Sequence, residues 1–371
     1  MPKIHSSIAC NLDANILKSA LPLFHSEKVA AIEWSFDALF KVRNIPDWFV
    51  QLLMEYSKAN QLIGHGIFFS LFTGRWSKEQ ETWLAHLKKV SNNFNFSHIT
   101  EHFGFMTGAN FHKGAPISIP HTKSTLSIGH DRLKRIYEAC KCPVGLENLA
   151  FAYSIEEVMQ HGDFLNELLE PVNGFIILDL HNLYCQLHNF DAAFEDIIKL
   201  YPLDRVREIH ISGGSWESSS IQPEKKIRRD THDDSVPIEV FKLLEKTIPL
   251  CPNVQYVVLE QLGTGLDTEE QRTQYQKDFF KMDEIVENAN QSILINNDFL
   301  PKLPMHLGEP AQDEKLYQEQ MQLSFILENA ADYQEAKKQL LASNLANSAW
   351  GIENWEPTML ETVIAIAQKW K

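Results

Sequence analysis

Few cysteines, no long apolar run and a shortage of positive charge set the first limits on this 371-residue chain. Its five cysteines, Cys10, Cys140, Cys142, Cys185 and Cys251, are an odd, scattered set without a CxxC pair. That argues against a disulfide framework and for free thiols in a reducing compartment, so a cytoplasmic location is expected. Cys140 and Cys142 form a lone CxC, which reads as packing, because free cysteine is so often buried. No stretch approaches the about 18 apolar residues of a membrane span, and mean hydropathy is -0.25. The opening run MPKIHSSIACNLDANILKSALPLF lacks the basic flank, apolar core and small-residue cleavage site of a signal peptide and reads as a first strand and helix. With 34 Lys+Arg against 49 Asp+Glu, the net charge of -15 repels phosphate backbones and anionic lipid. Neither nucleic acid nor membrane is expected as a partner. There is no glycine in SSIACNLDA after the first strand, and no P-loop, nucleophile elbow or dinucleotide fingerprint.

What is present is a long alternation. With 44% hydrophobic and 11% aromatic residues the chain can bury a large core. β-rich runs fall at 3–10, 29–36, 61–71, 98–105, 143–149, 174–184, 206–213 and 254–262. Stretches with helical spacing lie between them, as in EQETWLAHLKKVSNNF, where Trp83, Leu84, Leu87 and Val90 share a face. Eight strands alternating with helices predict an α/β fold, a (β/α)8 TIM barrel, over residues 1–288. Residues 289–371 read as a helical C-terminal extension: a Pro-rich connector, then helices near 313–329, 331–343 and 357–370, with Trp350, Trp355 and Trp370 as apolar surface to bury. The polar stretch 214–235 is expected to hang over the C-terminal face of the barrel, where such folds hold substrate. Within it, KKIRR (Lys225–Arg229) reads as a solvated loop or as a clamp for an acidic peptide.

Histidines and carboxylates end the strands, in HITEHFGF, VGLENLA, IILDLHNLY, VREIHISGG, RRDTHDD and YVVLEQL. Residues two apart on a strand face the same way, so Glu101 and His102 point to opposite sides, while Asp179 and His181 share a face. His181 is thereby favoured over Asn182 unless the strand has ended and the backbone turned. The inward candidates are His65, His102, Glu147, Asp179, His181, His210, Asp230, His232 and Glu260. Imidazole and carboxylate donors without thiolate suit Fe(II), Mn or Zn. Burying four carboxylates near one axis without cations would be costly. Glu33 closes the second strand and lines the pocket or pairs with the next helix. Gly64-His65-Gly66 reads as a loose approach to the pocket.

These runs resemble the multinuclear non-heme iron-dependent oxidative enzymes (MNIO), the family that includes the methanobactin-maturing oxidase. The resemblance rests on GHGIFFSL, TEHFGF, APISIPHT, ENLA, LDLHNLY, EIHISGG, DTHDDSVP and LEQL, in family order across 1–288. It implies a (β/α)8 barrel with metal ligands at His65, His102, Glu147, Asp179, Asn182, His210, Asp230, His232 and Glu260. His181 stands where the family usually has the first Asn of a pair, so His181 adds or replaces a ligand. Gly214 stands where the family usually has His.

The implied activity is oxidative modification, with dioxygen as co-substrate, of a residue (usually cysteine) in a ribosomally made precursor peptide, on two or three iron ions of mixed Fe(II)/Fe(III) state. The implied partners are that peptide and a separate protein that holds its leader. The competing reading is a zinc or manganese TIM-barrel isomerase or phosphate hydrolase, which would use the same donor set. A non-catalytic barrel that grips a partner through the extension is the third.

Overall fold

The computed structural model describes residues 3–40, 42, 45–107, 114–290 and 297–369. Eight parallel strands close on themselves: β1 (His5–Ala9), β2 (Ala31–Trp34), β3 (Leu62–Gly66), β4 (Phe96–His102), β5 (Val144–Glu147), β6 (Phe175–Asp179), β7 (Val206–Ile211) and β8 (Tyr256–Leu259). Each strand pairs with its neighbours in chain order, and β8 returns to β1, so the barrel has no open edge. Helices α1 (Ala14–His25), α2 (Asp47–Lys58), α3 (Lys78–Asn93), α4 (Lys123–Cys140), α5 (Ile155–Leu169), α6 (Leu180–Asn189), α7 (Ile238–Thr247) and α8 (Glu269–Ala289) follow the strands. The predicted barrel is the observed one. On α3, Trp83, Leu87 and Val90 are buried as the periodicity requires, and Ser77 and Gln80 form the box that caps its start.

Two predicted strands run too long. The run 61–71 stops at Gly66 because the N–H groups of Ile67 and Phe68 turn to the Asp37 carboxylate, each at 2.9 Å, instead of to a neighbouring strand. The run 174–184 stops at Asp179 because that side chain caps α6, accepting from Asn182 N at 2.6 Å. Gly64 and Gly66 are ladder residues, not a loose approach. A Cβ on Gly66 would stand 2.1 Å from Glu101 Oε1.

Inside the barrel the apolar filling is thin: Ala9, Ala31, Ile63, Tyr256 and Val258 in one cluster, and Phe175, Ile177 and Phe299 in another. Phe299 comes from the connector and packs edge-on against Phe175 at the N-terminal end of the strands. The rest of the interior is polar, from His98 and Arg207 near the N-terminal end to the histidines and carboxylates of the C-terminal end.

Beyond α8 come α9 (Glu314–Asn329), α10 (Tyr333–Leu341) and α11 (Pro357–Lys369). They are pinned to the barrel's loops. Gln320 donates to Phe72 O at 2.8 Å and accepts from Gly74 N at 2.9 Å. Trp355 stacks on Tyr153 with ring centroids 3.8 Å apart, Trp350 donates to Glu319, and Glu361 of α11 accepts from Ser219 and Ser220. Trp370 lies outside the described residues. All five cysteines are free.

Asp37 Oδ2 takes three donors, the part-buried Ile67 N and Phe68 N and the buried Trp83 Nε1. Asp37→Ala is expected to cost about 3 kcal/mol or more, because each buried donor left unpaired costs roughly 1–3 kcal/mol. A urea unfolding midpoint close to that of the unaltered chain would contradict this account, and Asp37→Asn should lie between the two.

Candidate metal centre

Every sequence-derived candidate stands at the C-terminal end of the barrel or in the segment that follows β7. His102 ends β4, Glu147 ends β5, Asp179 ends β6, and His65 and His210 each lie one residue before the end of their strands, β3 and β7. Glu260 follows β8, Asp230 and His232 follow a small hairpin after β7, and His181 and Asn182 sit in the first turn of α6. Glu101 faces the helices, next to Gly66 and Trp83, as alternation requires.

The hydrogen bonds tie one atom of each inner side chain and leave another free. Thr100 Oγ1 donates to Gly64 O, so His65 Nδ1–H must be the donor in its 2.8 Å contact with Thr100. His65 Nε2 is thereby an unprotonated acceptor, 3.4 Å from Glu147 Oε2. His102 Nδ1 donates to Gly66 O at 3.2 Å, and its Nε2 also lies 3.4 Å from Glu147 Oε2. Glu147 Oε1 accepts from Asn182 Nδ2 at 3.0 Å, which leaves Oε2 between the two imidazoles. Asp179 Oδ1 is spent on the helix cap, leaving Oδ2. His210 Nε2 donates to Glu33 Oε2 at 3.1 Å, and its Nδ1 lies 3.3 Å from Glu260 Oε2 and 4.0 Å from Asp179 Oδ2. Among the described residues Glu147 Oε2, Asp179 Oδ2, Asn182 Oδ1 and His210 Nδ1 are buried without a hydrogen-bond partner. Buried polar atoms are otherwise almost always paired.

Among the described residues the donor atoms of four groups lie within 4.8 Å of one another; Glu33, Glu208 and His210 are already hydrogen-bonded among themselves, and the other three are His65, His102 and Glu147; Glu147, Asp179 and His210; Asp179, His232 and Glu260. Of these three, Glu147 belongs to the first two and Asp179 to the last two, so they form one continuous chain. The inner members are all but inaccessible, whereas the side chains of His102, Asp230, His232 and Glu260 are 17–25% exposed and form the mouth. His232 adopts a left-handed φ of 51°, a conformation unusual outside glycine. Leu262 N donates to its carbonyl at 2.8 Å and holds it there, with Nε2 2.9 Å from Asp230 Oδ1.

His181 differs from the others. Arg228 Nε–H donates to its Nε2 at 3.1 Å, and its Nδ1–H donates to Asp230 Oδ1 at 3.0 Å. Both ring nitrogens are engaged. Asn182, which strand alternation did not favour, turns inward because helix α6 has already begun.

Three interior residues escaped the sequence reading: Glu208, His98 and Thr100. His98 Nε2 lies 2.6 Å from Glu208 Oε2, and His210 Nε2 lies 3.4 Å from Glu208 Oε1. The signal was available, since Glu208 is two residues before His210, and His98 and Thr100 precede His102 at the same spacing. Glu33 faces His210, not a helix. KKIRR is no free clamp: Arg228 is held by His181, Arg229 by Glu217 and Lys226 by Ser218.

The electrostatics are those of a site short of positive charge. Burial, with the nearby Asp179, Glu260 and Asp230 carboxylates, pushes the Glu147 carboxyl well above its usual range, although His210 opposes this. Burial and the Asp230 charge raise Asp179 to about 7, and burial raises Glu33 to about 7. Burial would lower His210, but Glu33, Glu208 and Glu260 hold its pKa well above the ordinary value. This excess of buried carboxylate is what bound cations would relieve. Nitrogen and oxygen donors, no thiolate and free buried lone pairs all fit non-heme iron.

A family model described as RiPP precursor modification enzyme MbnB/TglH/ChrH matches residues 40–266, which include every candidate ligand named above. A UPF0276 protein of Chromobacterium violaceum is 24% identical over 185 residues, 50% of this chain. The chain spans 64% of that relative, less than two thirds of its length. Another UPF0276 protein, from Acaryochloris marina, is 24% identical over 242 residues, 64% of this chain and 73% of its own. Among solved structures, a xylose isomerase-like TIM barrel/4-hydroxyphenylpyruvate dioxygenase fusion protein has a TM-score of 0.50 at 14% identity, covering 79% of this chain and 46% of that one. At that identity the likeness speaks for the barrel alone.

Because cations would bind the folded site and not the unfolded chain, chelator-stripped protein is expected to melt several degrees below protein reloaded anaerobically with Fe(II). Identical melting curves for the two preparations would mean that these carboxylates are balanced without metal.

Proposed function

Since this chain belongs to the RiPP precursor modification enzymes of the MbnB/TglH/ChrH family, the multinuclear non-heme iron-dependent oxidative enzymes, we propose that it oxidatively modifies a residue, most plainly a cysteine, of a ribosomally made precursor peptide. The catalytic unit is residues 1–288, and the extension 289–371 borders its face and helps to seat the peptide or a leader-holding partner. The observation that carries the reading is the chain of three donor groups joined through Glu147 and Asp179, with Glu147 Oε2, Asp179 Oδ2 and His210 Nδ1 buried without a hydrogen-bond partner. Such outer hydrogen bonds orient ligands and fix tautomers in metal sites.

In this reading His65, His102, Glu147, Asp179, Asn182, His210, Asp230, His232 and Glu260 hold two or three irons. Bound iron would supply dioxygen activation and the one-electron chemistry that a substrate C–H bond requires. The chain's own residues do the rest. Asn182 holds Glu147 Oε1 and so aims Oε2 between His65 and His102. Glu33 and Glu208 fix His210 from behind. The part-exposed His102, Asp230, His232 and Glu260 mark the side from which a substrate thiolate enters, and the deep members stay shielded from water. His181 acts through Asp230, which it orients with Arg228 behind it.

The first experiment is elemental analysis of anaerobically purified protein with Mössbauer spectroscopy on an iron-57 sample. Two or three irons per chain with an oxygen-sensitive coupled signal is the expected result. Stoichiometric zinc or manganese that survives iron supplementation would instead favour the isomerase or hydrolase chemistry. Glu147→Gln should lose more iron than His102→Ala, because Glu147 serves two groups. His181→Asn should keep the full metal content while Asp230→Asn does not. Equal losses from the last pair would make His181 a ligand in its own right.

A further inference from the structure

The segment between β7 and the candidate ligands Asp230 and His232 is a two-stranded antiparallel hairpin, Trp216–Ser218 paired with Lys226–Arg228. Its register can be read from the bonds that flank it. Arg229 N donates to Ser215 O at 3.0 Å and Ser219 N donates to Lys225 O at 3.4 Å. Hydrogen-bonded pairs alternate along an antiparallel ladder, so Glu217 and Ile227 exchange bonds, whereas the backbone groups of Trp216, Ser218, Lys226 and Arg228 point outward.

The two edges are treated differently. On the Lys226–Arg228 edge the Asn189 amide accepts from Arg228 N at 2.8 Å and donates to Arg228 O at 3.0 Å, and His188 Nε2 donates to Lys226 O at 3.0 Å. That edge is closed by α6. On the other edge Trp216, Glu217 and Ser218 are all exposed, and among the described residues nothing bonds the outward N–H and C=O groups of Trp216 and Ser218. An open edge is a template for another strand, and natural folds ordinarily cover it.

We propose that this edge is where the precursor peptide docks, adding as a third, extended strand beside Trp216–Ser218. The inference rests on the reading of the chain as a peptide-modifying enzyme. Main-chain bonds to Trp216 and Ser218 supply sequence-tolerant affinity, the usual gain from strand addition. Continuity with the site supports a peptide as occupant. The open strand leads back through 212–215 to His210, and its partner leads through Arg229 to Asp230 and His232, so a peptide on this edge runs toward the mouth of the metal centre. Trp216 is 48% exposed and shares its face with the exposed Lys226, which favours aromatic or acidic side chains at alternate peptide positions. Ser219 and Ser220, held by Glu361 of the extension, mark the far end of the edge.

Because the Ser218 N–H points away from its own ladder, Ser218→Pro removes an edge donor without breaking the hairpin, a position where proline is tolerated. Ser218→Ala removes only the hydroxyl. The probe is a phage-displayed library of short cysteine-containing peptides, selected on the metal-loaded full chain, with the recovered peptides then synthesised. The proposal expects slowed hydrogen exchange at the Trp216 and Ser218 amides of the unaltered protein on binding. It also expects about tenfold weaker binding to Ser218→Pro and unchanged binding to Ser218→Ala. Peptides that bind both variants alike, or that leave those two amides unprotected, would overturn the docking edge and leave the peptide-modifying reading standing. Failure to select any peptide counts against both. Sedimentation in which the unaltered chain dimerises and Ser218→Pro does not would assign the edge to a second copy and overturn the proposal.

Discussion

The structure depends on how a closed barrel tolerates charge along its axis. The interior holds Glu33, Glu147, Asp179 and Glu208 with His65, His98 and His210, all almost inaccessible, where an ordinary barrel of this type is packed with branched apolar side chains. Removing so many ionisable groups from water is tolerable only when each is bonded and the net charge is balanced. The deeper half solves this with protein alone: His98 and Glu208 pair, and His210 and Glu33 pair. The upper half leaves lone pairs of Glu147, Asp179 and His210 turned to a common space, and there a cation is the natural complement.

Secondary structure is subordinated to that arrangement. Strand β6 ends because Asp179 spends one oxygen on the cap of α6, and the same cap turns Asn182 toward Glu147. The chain after β3 turns away toward Asp37, which leaves His65 as the last inward residue of its strand. His232 holds a left-handed backbone at the mouth. Strained or interrupted backbone of this kind is concentrated where function outweighs regularity.

The extension and the hairpin extend the same logic outward. The extension's Gln312 and Gln320 side chains satisfy loop backbone groups that face the catalytic end of the barrel, and Gly74 permits the close approach of Tyr317 N, 2.5 Å from where a Cβ would stand. The hairpin is wired to the centre through Arg228, His181 and Asp230. The surroundings of the mouth are therefore built from parts distant in sequence, some of them outside the interval matched by the family model.

Much was legible without coordinates. Eight apolar runs separated by amphipathic stretches predict a parallel sheet with helical crossovers of one hand, and their number fits a barrel rather than an open doubly wound sheet, a choice that the β8–β1 pairing makes. A carboxylate or imidazole near the end of most of these runs places those side chains at one rim, since strand ends in such a barrel converge. The period of two could also have added Glu208, His98 and Thr100 by their spacing from His210 and His102. What the sequence by itself could not determine is which atom of each side chain is free. His181 and Asn182 are adjacent and equally suited by type. Only the start of α6 at Leu180 and the presence of Arg228, 47 residues away, decide that His181 is fully bonded and Asn182 faces inward. Those outcomes rest on hydrogen bonds between residues remote in the chain, and local periodicity carries no information about such bonds.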